Sequence, residues 1–318
     1  MSRIHEALKR AAEERAAQLV AGSEAHLADV ASELELLRRG PEFTEPAVSA
    51  RGTRSGNENT LLSFEELGKR CVKLEWHIDP HSSVLINSRP GQEGPERFRT
   101  LRSRLDKIAS TRKLKRVLLT SGVAGEGKTF VAFNLAQSMA RQPELRVLLV
   151  DADLRSPRLH HLFGAPICPG LSDYLRGDAD EYAIVQKGMS ESLFLIPGGT
   201  LVSSPSEVLR TERMKQLLNR VTPLFDWIIL DSPPSLRAED AGILADLADG
   251  VLLVIQAGST AAQIAERTAA EFQGKNLLGV VLNRVEKGDS YGGECQNDYG
   301  GQRNGAAETK AAAGLARH

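Results

Sequence analysis

Six short apolar runs punctuate the middle of this chain: Arg116–Thr120, Arg146–Val150, Leu193–Ile196, Trp227–Leu230, Val251–Ile255 and Val280–Leu282. They are near-continuously apolar, as expected of strands covered on both faces. Helical patterns fill the intervals, including one from about Phe130 to Ala140. One helix start is spelled out in Ser204-Pro205-Ser206-Glu207, which supplies a capping serine, a first-turn proline and a reciprocating glutamate. This alternation predicts an α/β fold, a doubly wound, mostly parallel sheet with helices on both faces. No internal repeat is evident.

The same patterning divides the chain. Residues 1–40 are charged and alanine-rich, with Ile4, Leu8 and Ala11, then Leu27, Val30, Leu34 and Leu37, at helical spacing. They read either as two amphipathic helices for docking onto a partner or as a solvated tail. Residues 41–60 mix Pro, Gly, Ser, Asn and both charge signs, the composition of a linker. The core is expected over 61–287, and the Gly-, Asn- and Ala-rich residues 288–318 read as a flexible tail.

Chemistry enters where the first run ends. Gly122-Val123-Ala124-Gly125-Glu126-Gly127-Lys128-Thr129 follows an apolar strand and precedes a helical pattern. Its glycines let backbone N–H groups turn inward around a polyphosphate. Lys128 brings charge to the β- and γ-phosphates, and Thr129 offers Mg²⁺ a hydroxyl ligand. The helix opening at Phe130 points its positive end at the same place. The expected cofactors are therefore ATP and Mg²⁺.

Two more runs end in carboxylates, Val147 to Asp151-Ala152-Asp153 and Trp227 to Asp231. Parallel strands present their C-terminal ends on one sheet edge, so all three carboxylates can approach the phosphate loop. Asp231 suits a water-mediated Mg²⁺ contact. Of Asp151 and Asp153, one is expected to aim at the γ-phosphate as a candidate base. Asn283 and Arg284, after the last run, read either as base contacts or as a turn cap.

Charge and cysteine usage narrow the class. Lys and Arg number 40 against 41 Asp and Glu, a net charge of −1, so no broad nucleic-acid surface is indicated. Cys71, Cys168 and Cys295 are far apart without metal-ligand spacing and read as reduced thiols of a cytoplasmic protein. No apolar run is long enough to span a bilayer, so membrane association is expected through a partner and not by direct insertion.

Over about Leu61 to Lys287 the motifs resemble the bacterial tyrosine kinases of capsule and exopolysaccharide synthesis, P-loop proteins unrelated to eukaryotic protein kinases. Glu126-Gly127-Lys128-Thr129 is similar to that family's Walker A ending. Asp151-Ala152-Asp153-Leu154-Arg155-Ser156-Pro157 resembles its Walker A′ motif, and Asp231-Ser232-Pro233-Pro234 its Walker B. Gly170-Leu171-Ser172-Asp173 and Ser204 to Leu209 match as well. The resemblance implies that Lys128 contacts ATP phosphates, that Thr129, Asp151, Asp153 and Asp231 organise Mg²⁺, and that Asp151 deprotonates the acceptor tyrosine.

Glu96, Arg99 and Arg102 lie at three-residue steps, one face of a helix, and can form a strip of ion pairs. They stand where the family has its Glu-x-x-Arg-x-x-Arg oligomerisation motif. The resemblance thus implies a homo-oligomeric ring in which one subunit's tail enters the next subunit's site. The tail departs from the family's dense tyrosine cluster, offering Tyr291 and Tyr299 as phosphoacceptors, each followed by two glycines. Without a spanning segment the chain resembles the cytosolic type, which works with a membrane activator of the polysaccharide co-polymerase kind. The competing readings are a P-loop ATPase switch of the ParA/MinD kind and a non-catalytic ATP-binding adaptor. The first normally has a second lysine where this chain has Val123; the second does not need so many carboxylates.

Overall fold

The structure, a computed structural model, describes residues 62–86, 92–188 and 190–285. The amphipathic segments of 1–40, the linker 41–60 and the tail with Tyr291 and Tyr299 lie outside them. Eight strands form one sheet among the described residues: β1 (Val72–Lys73), β2 (Arg116–Thr120), β3 (Val147–Asp151), β4 (Gln186–Lys187), β5 (Leu193–Ile196), β6 (Trp227–Asp231), β7 (Gly250–Gln256) and β8 (Leu277–Asn283). Their order is β1-β4-β5-β3-β6-β2-β7-β8. Every neighbouring pair is parallel except β4 with β5.

The six apolar runs become β2, β3, β5, β6, β7 and β8. β1 and β4 have two residues each and no apolar run to announce them; pairing with each other and with the edge of β5 makes them strands. Alternate residues of the central strands feed two cores. Leu118, Leu148, Val150, Phe194, Ile196, Ile228 and Leu230 pack in one layer; Leu119, Leu149, Leu193, Leu195 and Ile229 pack in the other. Burial on both sides explains why these strands read as unbroken apolar runs.

Against the second core lies the helix Lys128–Ala140, which starts two residues earlier than its apolar pattern suggests. Val131, Ala132, Phe133, Leu135, Ala136 and Met139 bury around most of its circumference. Its buried Asn134 accepts from Val84 N at 2.9 Å and donates to Ser82 O at 3.0 Å, holding the 82–84 turn against it. The helix that points at the phosphate site is thus fixed by core packing and by side-chain hydrogen bonds.

Two local expectations are corrected. The helix Pro205–Leu209 does begin with proline, but Ser204 forms no side-chain cap and the capping box is absent. Ser206 instead donates to Asp240 and accepts from Arg155 Nη2 at 3.0 Å. Asp240 is fully buried and needs donors, whereas an exposed helix end can satisfy its N–H groups with water. The second correction concerns the helix Glu93–Ala109. Glu96 and Arg99 pair at its surface, but Arg102 leaves the strip and donates from Nη1 to Ser138 O at 2.7 Å. That carbonyl lies in the last turn of the helix Lys128–Ala140, where intrahelical partners run out. Among the described residues no helix is long and apolar enough to cross a membrane.

Candidate active site

The central strands deliver their chemistry to one edge. β2 runs into the glycine loop, and its neighbours β6 and β7 flank that loop. Gly127 caps the following helix at φ 92°, a left-handed conformation that disfavours any side chain. A Cβ there would also collide with the Asn283 side-chain amide. The loop is braced from within: Ser121 Oγ donates to Val123 O at 2.8 Å, and Val123 N donates to Glu126 Oε2 at 2.8 Å. The segment after β6 braces it from beside, through Ser235 N to Ser121 O at 2.8 Å and Leu236 N to Gly122 O at 3.3 Å. Lys128 is buried at the first turn of the helix.

Register explains the carboxylates. β3 and β6 pair so that Asp151 stands directly opposite Asp231. Asp151 Oδ2 accepts from the N–H groups of Arg158 and Leu159, both at 2.9 Å, at the start of the short helix Leu159–Phe163. Its Oδ1 is buried with no hydrogen-bond partner, and so is Asp231 Oδ1. Burial pushes the Asp151 carboxyl well above the usual range, and the Asp231 charge adds to this. Burial pushes Asp231 up to about 7, although the Thr129 hydroxyl bonds to it and Lys128 lies nearby. β3 ends at Asp151, so strand alternation does not govern Asp153. A turn does: Asp153 Oδ1 accepts from Ser156 N at 3.1 Å. Asp153 also sits near Lys128, but burial outweighs that charge and raises its carboxyl as well.

Lys128, Thr129, Asp151, Asp153 and Asp231 are therefore brought together at the loop. Other expected site residues have different work. Asn283 Nδ2 donates to Glu126 O at 2.9 Å, so it braces the phosphate loop. Arg284, in a left-handed conformation at φ 56°, donates from Nη1 to Gln256 Oε1 at 3.1 Å at the end of β7. Phe130 packs edge-on against Phe98 with ring centroids 6.2 Å apart. Phe130, Asn283 and Arg284 line a groove of about 710 Å³ with Phe98, Leu101 and Leu282, a size within the range of ligand clefts. Gly122, Val123, Ala124, Gly125, Glu126 and Gly127 form the loop as expected.

Some residues at the site are not evident from its motifs. Thr260, in the loop after β7, donates from Oγ1 to Glu126 Oε1 at 2.6 Å. Asp240 holds Arg155 through Nε to Oδ2 at 2.7 Å and Nη2 to Oδ1 at 3.1 Å. That pair joins the loop after β3 to the helix after β6. Arg155 is visible within the Asp151–Pro157 motif, but no local signal marks Asp240 or Thr260, which reach the site through tertiary contacts.

Unpartnered buried carboxylate oxygens are costly unless something meets them. Two such oxygens, one of them on the carboxylate that the Thr129 hydroxyl bonds, fit a hard divalent cation. Among the described residues no three His, Cys, Asp or Glu side chains converge to hold a metal unaided. Mg²⁺ takes few protein ligands and fills its shell with water and phosphate oxygens.

Comparison with known proteins identifies the family. Residues 117–296 match the CobQ/CobB/MinD/ParA nucleotide binding domain family. The chain is 34% identical over 215 residues to the tyrosine-protein kinase YwqD of Bacillus subtilis, covering 66% of this chain and 90% of that protein. It is 33% identical over 250 residues to the putative tyrosine-protein kinase AmsA of Erwinia amylovora, which is 78% of this chain but 32% of that longer protein. The solved kinase domain of the Escherichia coli tyrosine kinase ETK is 30% identical, with a TM-score of 0.58 over 66% of this chain and 83% of that domain. The strand order, the braced phosphate loop and these likenesses place the chain in the CobQ/CobB/MinD/ParA nucleotide-binding family and, within it, among the bacterial tyrosine-protein kinases.

Proposed function

We propose that this chain is an ATP-dependent protein-tyrosine kinase that phosphorylates Tyr291 and Tyr299 of neighbouring copies and so regulates capsule or exopolysaccharide polymerisation and export. The observation that carries its nucleotide chemistry is the pair of unpartnered oxygens, Asp151 Oδ1 and Asp231 Oδ1, buried at the loop that bears Lys128 and Thr129. Tyrosine as acceptor follows from the names of its relatives.

In this reading Lys128 and the loop amides hold the β- and γ-phosphates of ATP. Thr129 and Asp231 hold Mg²⁺, with Asp151 and Asp153 beside them. Bound there, Mg²⁺ supplies the positive charge that keeps these carboxylates ionised and offsets charge on the transferring group. Asp151 receives the phenolic proton. The phenolic oxygen bonds to the γ-phosphorus as the bond to the β–γ bridging oxygen breaks, and ADP leaves. Asp153 is the less buried of the two Walker A′ carboxylates and is the second candidate for the proton.

The chain works as a homo-oligomeric ring, recruited to the inner face of the plasma membrane by a polysaccharide co-polymerase activator. The test is intact mass and peptide mapping after incubation with Mg-ATP. Phosphate is expected on Tyr291 or Tyr299 and absent in Lys128→Met and Asp151→Asn. Phosphate retained at parental level in Lys128→Met would overturn the site. Hydrolysis of ATP with no phosphotyrosine, even with the activator present, would favour the ParA/MinD-like switch. Binding without turnover would favour the adaptor.

A further inference from the structure

The glycines, Lys128 and Thr129 account for the phosphate contacts of the loop, which leaves the side chain between Gly125 and Gly127 without a role in them. Here that residue is Glu126, whose side chain is buried at 2% exposure. A carboxylate beside a polyphosphate site raises an obvious electrostatic objection. The hydrogen bonds answer it. Oε2 accepts the N–H of Val123 at 2.8 Å, three residues back in the same loop. Oε1 accepts the hydroxyl of Thr260 at 2.6 Å, from the loop joining β7 to the helix Ala262–Glu271. The backbone carbonyl of Glu126 accepts from Asn283 Nδ2 at 2.9 Å, at the end of β8. Each carboxylate oxygen thus has a donor, and the side chain ties the front of the loop to its back and to the β7 edge of the sheet.

We propose that Glu126 is a positioning residue for nucleotide binding: it presets the curvature of the phosphate loop and couples it, through Thr260, to the loop after β7. The physical reason is preorganisation. Val123 N–H is drawn to Glu126, which fixes the bend at Ala124-Gly125 before any ligand arrives. The loop therefore need not spend binding energy ordering itself. Thr260 keeps the carboxylate turned away from the phosphates, and a loop without that anchor would let it swing toward them.

The inference rests on reading this loop as a nucleotide site, and Mg-ADP binding by titration calorimetry separates the two claims. The full chain is compared with Glu126→Ala, Glu126→Gln and Thr260→Val, each with its thermal unfolding midpoint. Glutamine can accept from Val123 N–H through its carbonyl and donate to the Thr260 hydroxyl through its amide, which preserves both links. Glu126→Ala should weaken Mg-ADP binding about tenfold, the equivalent of roughly 1.4 kcal/mol. Glu126→Gln should recover most of that loss, and Thr260→Val should fall between them. A Glu126→Ala chain that binds Mg-ADP like the parent, with only its melting point lowered, would overturn the proposal. So would a Glu126→Gln chain as weak as Glu126→Ala. A parent chain that binds no Mg-ADP would overturn the nucleotide site itself.

Discussion

At the scale of single residues, the site stores repulsion. Asp151 and Asp231 stand side by side because β3 and β6 pair in that register, and both are buried with an oxygen left unmet. Sites arranged this way trade stability for activity. Asp231→Asn removes one of the two competing carboxyls while retaining an acceptor for Thr129. In EDTA and without nucleotide it should stabilise the chain by about 0.5–2 kcal/mol, read as a higher thermal midpoint, while phosphotransfer falls to background. A midpoint that drops instead would mean the two carboxylates do not repel in the folded chain.

At the scale of elements, what aims the glycine loop is the anchoring of β2. Asp249, just before β7, accepts the backbone N–H groups of Lys115 at 2.9 Å and Arg116 at 2.8 Å, and pairs with the Arg116 guanidinium at 3.0 Å. Burial works against its ionised form, but these donors outweigh burial and hold its carboxyl below the usual range. A depressed folded value gives stability that is present above the unfolded pKa, about 3.9, and is lost as pH falls through the folded value. Asp249→Ala should cost about 1–3 kcal/mol in urea unfolding at pH 7, since it leaves part-buried donors unmet. The gap between parent and variant should narrow below about pH 4. An equal gap at pH 7 and pH 3 would remove the ionised carboxylate from the account.

For the whole molecule, the expected oligomer strip is split by the fold. Arg102 serves the chain's own helix Lys128–Ala140, whereas Glu96 and Arg99 stay at the surface with about half of each side chain exposed. An exposed pair contributes little to folding, of order 0.2–1 kcal/mol. Glu96→Ala with Arg99→Ala should therefore leave unfolding almost unchanged while shrinking the assembly in light scattering. Unchanged mass would end the assembly role of this pair. Arg102→Ala is the poorer probe, because it also strips a partner from the Ser138 carbonyl.

The sequence by itself determined the six main strands, the phosphate loop and the three carboxylates. These depend on local order: an apolar run, covered on both faces except in the edge strand β8 where Val280 and Leu282 are exposed, a glycine spacing, an acid at a strand's end. It also determined the family, since the motifs are contiguous. Tertiary structure alone decided the rest. The two-residue strands β1 and β4 exist only through pairing. Ser206 follows the needs of a buried Asp240, Ser204 leaves the helix end without a side-chain cap, and Asn283 turns to the Glu126 carbonyl. Thr260 meets Glu126 from 134 residues away. Nothing in a local pattern records such a contact, because it is fixed by how parallel strands order themselves and by which buried polar groups must find a partner.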